Sequence, residues 1–347
     1  MDRKLSVWRV SLAGVVILAA VGAYALSAQN RAGSPQAAVN SAFEQFKGLK
    51  EGKNADYIPA LAKVDPNLFG IALVTTDGKA YFAGDIKSEV SIQSISKVFT
   101  MAEVIQEQGL ESIEKRIGVD ATGARFNSII AVESVKTIVG AGAPEMNPLV
   151  NPGAITTTSM VRGATRDEVW NKIIGTYNDY AGRPLTVLAD VYKSEADTNQ
   201  RNQAIGDLMY AYERIKSNPK QAVDLYTKQC SISVNVVDLA TMAATLANGG
   251  KNPVTNTVAI DAKHVPGVLA VMATAGLYDD SGKWLFWTGL PGKSGVGGGL
   301  IAVAPGKFGI AVISPPLDKA GNSVRGQRAI ADISAALNAN PYAVKPQ

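Results

Sequence analysis

Two residues able to carry out chemistry lie three positions apart in the segment SIQSISKVFT, residues 91–100. On a helix, Ser94 and Lys97 would lie on one face, because side chains at i and i+3 are neighbours. A serine hydroxyl is a weak nucleophile until a base removes its proton, and a lysine can be that base when burial keeps it neutral. The alternative is a capped helix start whose lysine reaches water. This short motif alone leaves both interpretations open.

A second polar motif, GKSGVGGG at residues 292–299, leads directly into an apolar run. Glycines keep the edge of such a strand open to a ligand, and a backbone N–H at that edge can bind an oxyanion. The alternative is a purely structural role, as a glycine-rich turn before a strand. An S-x-x-K helix followed by a K-S/T-G strand is the pairing found in the penicillin-recognising serine enzymes. The two motifs together favour acyl transfer to a serine.

The elements that must position these motifs are strands near both ends of the chain and helices between them. Residues 69–76 (FGIALVTT), the turn Asp77-Gly78 and the following KAYFAG predict a β-hairpin. Residues 299–317 predict two more strands around Pro305-Gly306-Lys307. Helical spacing marks residues 39–50, 94–108, much of 120–255, and 324–338. We therefore predict an α/β (α+β) fold, with a sheet from about 60–90 and 284–316 and a helical subdomain over about 110–255.

The first 28 residues predict a secretory signal peptide. Three cations, Arg3, Lys4 and Arg9, precede the apolar run 10–26, and small residues follow it. The alternative is an uncleaved membrane anchor formed by residues 10–26, at the short limit for a membrane span. Cleavage would remove three cations and the anion Asp2, so the formal net charge would fall from +4 to +2. We expect a periplasmic or secreted protein, with residues 29–38 as a flexible leader.

Composition excludes several classes of function. The chain has 347 residues, 46% of them hydrophobic, which suits a folded globular protein. It has no basic run, so nothing indicates nucleic-acid binding. The single cysteine, Cys230, excludes an intrachain disulfide and is expected to be a buried hydrophobe. The single histidine, His264, excludes sites built from several histidines.

Across residues 40–340 the chain resembles the serine-dependent glutaminase family. The matching motifs occur in order and at the expected spacing. They are DYIP (56–59), IQSISK (92–97), NPLVN (147–151), GAI (153–155), SE (194–195), RN (201–202), QCSI (229–232), LANGG (246–250), GLYD (276–279), KSGVGG (293–298) and SPPLD (314–318). The resemblance implies a β-lactamase/transpeptidase-like fold over residues 39–341, with a mainly antiparallel sheet flanked by helices. It also implies L-glutaminase activity without a metal or an organic cofactor, and a homodimer or homotetramer.

The resemblance also implies a role for each matched residue. Ser94 would attack the side-chain amide of L-glutamine, Lys97 would be its base, and Tyr278 would relay the proton. The N–H groups of Ser94 and Val296 would stabilise the oxyanion, and a γ-glutamyl ester on Ser94 would be hydrolysed by water. The implied substrate-binding residues are Tyr57, Gln93, Ser94, Asn151, Glu195, Asn202, Tyr226, Tyr278 and Val296.

The chemistry of these residues suits an amino acid. Glu195 can pair with the α-ammonium, and Asn151, Asn202 and the tyrosine hydroxyls can hydrogen-bond the carboxylate and amide. The bland alternative is that Glu195 and Asn202, seven residues apart, share the solvated face of one helix. Pro152 replaces the alanine usual in the family, and it restricts the backbone of Asn151, which we expect to weaken substrate binding if that geometry matters. Two rival functions remain: a penicillin-recognising serine hydrolase, and a non-catalytic periplasmic amino-acid binder.

Overall fold

A computed structural model describes residues 33–133, 146–344 and 346. The predicted signal peptide, or its alternative anchor, lies outside the described residues. Within the described ranges, no helix is long and apolar enough to cross a membrane.

Five antiparallel strands form the main sheet, in the order β2-β1-β7-β6-β5. A small second sheet pairs β3 with β4. The strands are β1 (Gly70–Thr75), β2 (Ala80–Gly84), β3 (Val90–Ser91), β4 (Ser233–Val234), β5 (Gly292–Ser294), β6 (Gly299–Ala304) and β7 (Phe308–Ile313). The predicted hairpin at Asp77-Gly78 and the two strands around Pro305-Gly306-Lys307 are confirmed. Strand β7, the last in the chain, lies in the middle of the sheet between β1 and β6.

Helices cover the sheet and fill the middle of the chain. They are α1 (Pro35–Phe46), α2 (Pro59–Ala62), α3 (Ser96–Gln108), α4 (Leu110–Arg116), α5 (Asn151–Met160), α6 (Arg166–Ala181), α7 (Ala189–Asp197), α8 (Gln200–Ala211), α9 (Pro219–Cys230), α10 (Val236–Ala247), α11 (Val265–Ala275), α12 (Ser281–Thr288) and α13 (Val324–Ala336). Short 3₁₀ turns span Gln93–Ile95, Ala262–His264 and Tyr278–Asp280.

Alternation along the strands divides the core into two layers. On β1, Ile71 and Leu73 belong to the apolar cluster that includes residues of α1 and α13. Ala72 and Val74 belong to the larger cluster that includes α10 and the helices of the chain's middle. This is the period of two expected for a strand buried on both faces. Helix α10 approaches β7 so closely that a Cβ added to Gly309 would lie 2.0 Å from the Ala244 nitrogen.

The predicted flexible leader, residues 29–38, extends too far, because its last residues are helical. Helix α1 begins at Pro35, inside the predicted range 29–38, and Ala38 is buried. The Ser34 side chain accepts a hydrogen bond from the Ala37 N–H, and Pro35 occupies the first turn. Ser followed by Pro is a common helix start, so the sequence carried the signal that its polar, small-residue composition obscured.

Candidate active site

Ser94 lies in the 3₁₀ turn Gln93–Ile95, directly before helix α3. Neither this turn nor α3 begins with a side-chain cap, so the serines of this segment do not cap the helix. Ser94 and Lys97 are both buried. The alternative of a capped helix whose lysine reaches water is therefore wrong.

Lys97 is buried, and its ammonium group is hydrogen-bonded to uncharged acceptors. Its side chain is 1% exposed, and its Nζ donates to Asn151 Oδ1 at 2.7 Å and to the Leu149 carbonyl at 3.4 Å. Burial lowers the pKa of Lys97 to about 8, because desolvation disfavours the ammonium form. About a tenth of this lysine is consequently neutral at pH 7, and the neutral form is the one that can act as a general base.

Tyr278 lies beside Ser94 in a strained backbone conformation, and its hydroxyl is hydrogen-bonded to a backbone carbonyl. Its φ is +58°, in the left-handed region that a tyrosine rarely adopts. Its hydroxyl donates to the Ser294 carbonyl at 3.3 Å. Burial raises the pKa of Tyr278 to about 12, and a hydrogen bond with Ser94 opposes that rise. The tyrosine is therefore a protonated group within reach of the serine hydroxyl.

Lys293 is a second buried lysine at this site, and sequence reasoning gave it no role. Its side chain is 0% exposed. Its Nζ donates at 2.7 Å to the Ser294 carbonyl, the same acceptor that Tyr278 uses, and lies 4.1 Å from the centroid of the Tyr278 ring. Burial lowers the pKa of Lys293 well below its usual value. The lysine of the K-S-G motif thus contacts the tyrosine ring and shares its hydrogen-bond acceptor.

Glycines bring Val296 against the turn that carries Ser94. A Cβ added to Gly295 would lie 2.8 Å from the Ile92 carbonyl oxygen, and one added to Gly297 would lie 2.7 Å from the Ser91 carbonyl oxygen. Only glycine permits this approach of one backbone to another. Val296 and Ser94 consequently line the same cavity.

We call this space of about 90 Å³ the inner cavity. Each residue predicted to bind substrate lines it, with the exception of Tyr278: Tyr57, Gln93, Ser94, Asn151, Glu195, Asn202, Tyr226 and Val296. Asn151 Nδ2 donates to Asn202 Oδ1 at 2.9 Å, and the Tyr226 hydroxyl donates to Asn151 Oδ1 at 3.1 Å. The predicted residues are therefore brought together, although their roles stay predictions.

Glu195 supplies a buried carboxylate to the inner cavity. It is 7% exposed and accepts a hydrogen bond from Gln93 Nε2 at 3.2 Å. Burial raises the pKa of Glu195 to about 7, opposed by the Gln93 hydrogen bond and by Lys97. Gln93 itself has a φ of +49°, so strained backbone flanks the serine on this side too. A carboxylate this costly to bury is suited to a cationic ligand.

One alternative drawn from the sequence is wrong, and one expectation finds no support in the backbone. Glu195 and Asn202 do not share one helix, because the former lies on α7 and the latter on α8. Pro152 occupies the first turn of α5, where a helix N–H has no intrahelical partner to lose. The Asn151 N–H is satisfied by the Phe126 carbonyl at 2.7 Å. The structure therefore gives no reason for Pro152 to disturb Asn151.

Other residues line the inner cavity although no role was expected for them from the sequence. The Phe126 ring lies 5.0 Å from that of Tyr278, centroid to centroid. Arg201 Nε donates to the Asn127 carbonyl at 2.9 Å and so ties the loop of Phe126 to helix α8. These residues come together only through the tertiary fold.

Comparison with known proteins agrees with this geometry. Residues 52–342 match the sequence model of the Glutaminase family. A glutaminase of Colwellia psychrerythraea is 50% identical over 307 residues, which cover 88% of this chain and 97% of that protein. The solved structure of the probable glutaminase ybaS has a TM-score of 0.86 at 44% identity, covering 89% of this chain and 98% of that one. A probable glutaminase from Bacillus subtilis, complexed with 6-diazo-5-oxo-L-norleucine, gives 0.77 at 26% identity, covering 89% and 96%.

The antiparallel sheet with its flanking helices is the β-lactamase-like fold, as predicted. Within that class, the chain belongs to the glutaminase family.

Proposed function

We propose that this chain hydrolyses the side-chain amide of L-glutamine to L-glutamate and ammonia, through a γ-glutamyl ester on Ser94. The observation that carries the proposal is a serine beside a fully buried lysine, at one wall of a cavity that also holds the buried carboxylate of Glu195. Family membership supports the same activity.

In the first step, neutral Lys97 takes the Ser94 proton while the Ser94 oxygen attacks the γ-carbonyl carbon. The N–H groups of Ser94 and Val296 stabilise the oxyanion. Tyr278, protonated across the physiological range, passes a proton to the leaving nitrogen. Tyr278 then recovers a proton from Lys97, which becomes neutral again. Water attacks the ester and gives a proton to Lys97, which passes it to the Ser94 oxygen as the ester bond breaks and L-glutamate leaves.

Substrate orientation follows from the charges of the inner cavity. Glu195 pairs with the α-ammonium, and the amides of Asn151 and Asn202 with the Tyr226 hydroxyl bind the polar groups of the substrate. A cavity of buried polar groups discriminates strongly against analogues that leave those groups unpaired. Penicillins carry a carboxylate and no ammonium to match Glu195, so they suit this cavity poorly.

The test is ammonia release from L-glutamine by the purified protein, by Ser94→Ala and by Ser96→Ala. Ser96 is buried close to Cys230 and does not line the inner cavity, which makes it a matched control. We expect activity in the parent and in Ser96→Ala and none in Ser94→Ala. Mass spectrometry of the acid-quenched parent should show a glutamyl adduct on the Ser94 peptide. Glutamine binding without ammonia release by the parent would instead establish the amino-acid binder.

We also propose that the protein is exported and assembles as a homodimer or homotetramer. Export rests on the predicted signal peptide, and sequencing the amino terminus of the mature protein tests it. A mature chain that still begins at Met1 would favour the anchor. Assembly rests on the family resemblance, and light scattering of the purified protein tests it, with a monomeric mass as the contrary outcome.

A further inference from the structure

A larger cavity of about 320 Å³ opens beside the inner one. The proposed hydrolysis of glutamine does not use it. We call it the outer cavity. It is lined by residues 53–57, 125–127, 279, 296 and 317–321. The two cavities share Tyr57, Phe126, Asn127 and Val296, so they are neighbouring parts of one space.

The outer cavity meets the inner one at the end where the scissile amide would lie. Val296 lines both. A Cβ added to Gly321, in the outer wall, would lie 3.6 Å from Val296 Cγ1 and 3.8 Å from Tyr278 Cε2. Glu195 and Asn202, at the amino-acid end, line the inner cavity and not the outer one. A group attached to the leaving nitrogen would therefore extend into the outer cavity.

Some charged side chains of the outer cavity have partners in the structure, and others form no ion pair with another described residue. Lys53 pairs with Asp56 at 2.9 Å. Asp318 Oδ1 accepts the N–H groups of the three residues at 320–322.

Arg125 and Lys319 are exposed, and neither forms an ion pair with another described residue. Asp279, also exposed, and Asp318 are the carboxylates of this wall that form no ion pair with another described residue. Among the described residues, two unpaired cations and two unpaired carboxylates thus face the space, and an anionic group that reaches Arg125 and Lys319 gains two attractive pairings.

We propose that the outer cavity holds the amine part of γ-glutamyl amides larger than glutamine, in particular γ-glutamyl amino acids, whose carboxylate pairs with Arg125 and Lys319. The inference rests on the proposed function. Ser94 Oγ bonds to the γ-carbonyl carbon, the carbon–nitrogen bond breaks, and the nitrogen takes a proton and leaves as the free amino acid. Water then hydrolyses the ester, so that one γ-glutamyl amino acid and one water give glutamate and one amino acid.

The experiment compares kcat/KM for three substrates: L-glutamine, the neutral γ-glutamylmethylamide, and the anionic γ-glutamylglycine. Glutamate formation is measured for all three, and free glycine for the last. We expect γ-glutamylglycine to be cleaved faster than the methylamide. Raising the salt to 0.5 M in the assay should reduce that difference, because exposed charges are screened.

Variants assign the effect to the two cations. In the double variant Arg125→Met/Lys319→Met, the ratio of kcat/KM for γ-glutamylglycine to that for glutamine should fall about tenfold, the size expected for two exposed charge pairs. Lys220→Met is the matched control, since Lys220 is exposed and lines neither cavity. It should leave the ratio as in the parent.

The outcomes distinguish this proposal from the proposed function on which it rests. Cleavage of glutamine but of neither larger amide would overturn the inference and leave the proposed function standing, with the outer cavity only an exit for ammonia. Cleavage of both larger amides with no effect of the double variant would overturn the role of Arg125 and Lys319. Failure to cleave glutamine would overturn the proposed function itself.

Discussion

In the proposed mechanism, two buried groups must both lose a proton before the free enzyme is active, and the pH dependence of kcat/KM follows from them. Lys97, with a pKa of about 8, has to be neutral to accept the Ser94 proton. Glu195, with a pKa of about 7, has to be ionised to pair with the substrate ammonium. Each requirement is met as pH rises, so activity rises with pH through both values. The profile of kcat/KM reports the free enzyme, which is the state described above.

The expected size of the change follows from these two values. At pH 6, about 1% of Lys97 is neutral and about 9% of Glu195 is ionised; at pH 8 the fractions are about 50% and about 90%. If both are required, kcat/KM rises about 500-fold from pH 6 to pH 8. In Glu195→Gln the second requirement disappears, and the rise falls to about 50-fold, on an activity at least tenfold lower throughout.

The assay is ammonia release at low glutamine concentration, from pH 6 to pH 9, for the parent and for Glu195→Gln. Titration of glutamine itself affects both proteins equally and cancels in their ratio. Tyr278, with a pKa of about 12, adds no inflection in this range. A parent profile that changes less than tenfold between pH 6 and pH 8 would refute the role of Lys97 as base. Equal steepness in the two proteins would refute the role of Glu195.

Three further predictions concern the scaffold of the site. Lys293→Met should lower kcat by about tenfold to a hundredfold with little change in KM, because Lys293 acts through Tyr278; an unchanged kcat in a folded variant would contradict this. Pro152→Ala should leave KM for glutamine within about twofold, since the proline nitrogen has no helical partner to lose; a KM several times lower would show that the proline does constrain the site. Arg325→Met should lower the free energy of unfolding in urea by about 3 kcal/mol, because buried acceptors lose their donor, whereas Arg328→Met, an exposed residue, should cost less than about 1 kcal/mol. Similar losses for the two arginine variants would contradict the last prediction.

The stabilising role assigned to Arg325 rests on its contacts. It is 1% exposed, and its guanidinium donates to Ser314 Oγ at 2.7 Å and to the Leu68 carbonyl at 3.1 Å. It thereby joins the segment after β7 to the segment before β1.

Some parts of this fold could be predicted from the sequence because their signals are local. The hairpin at Asp77-Gly78 and the strands around Pro305-Gly306-Lys307 combine β-prone runs with turn residues that allow one geometry. The nucleophile segment could be predicted only in combination, because S-x-x-K gains meaning from a K-S-G strand two hundred residues later. That dependence on a distant partner explains why either motif alone left two interpretations open.

Other parts depend on tertiary contacts and left no local trace. The helix is interrupted at Thr198 and Asn199, between α7 and α8, and neither glycine nor proline marks the interruption. The spacing of seven residues therefore suggested one helix. Phe126 and Arg201 reach the inner cavity through loop and helix packing. Lys293 was visible as part of a motif, but its contact with Tyr278 depends on a backbone conformation that no sequence pattern signals.

The order of strands in the main sheet sets when this protein can fold. Strand β7 is the last to be made, yet β1 and β6 pair on either side of it, so the hairpin β1–β2 has no inner neighbour until the final part of the chain has left the ribosome. Pairing across so long a separation is slow to form. Ser94 and strand β5, which carries part of the K-S-G motif, are about 200 residues apart in the chain. The main sheet is therefore incomplete until synthesis of the chain is nearly finished.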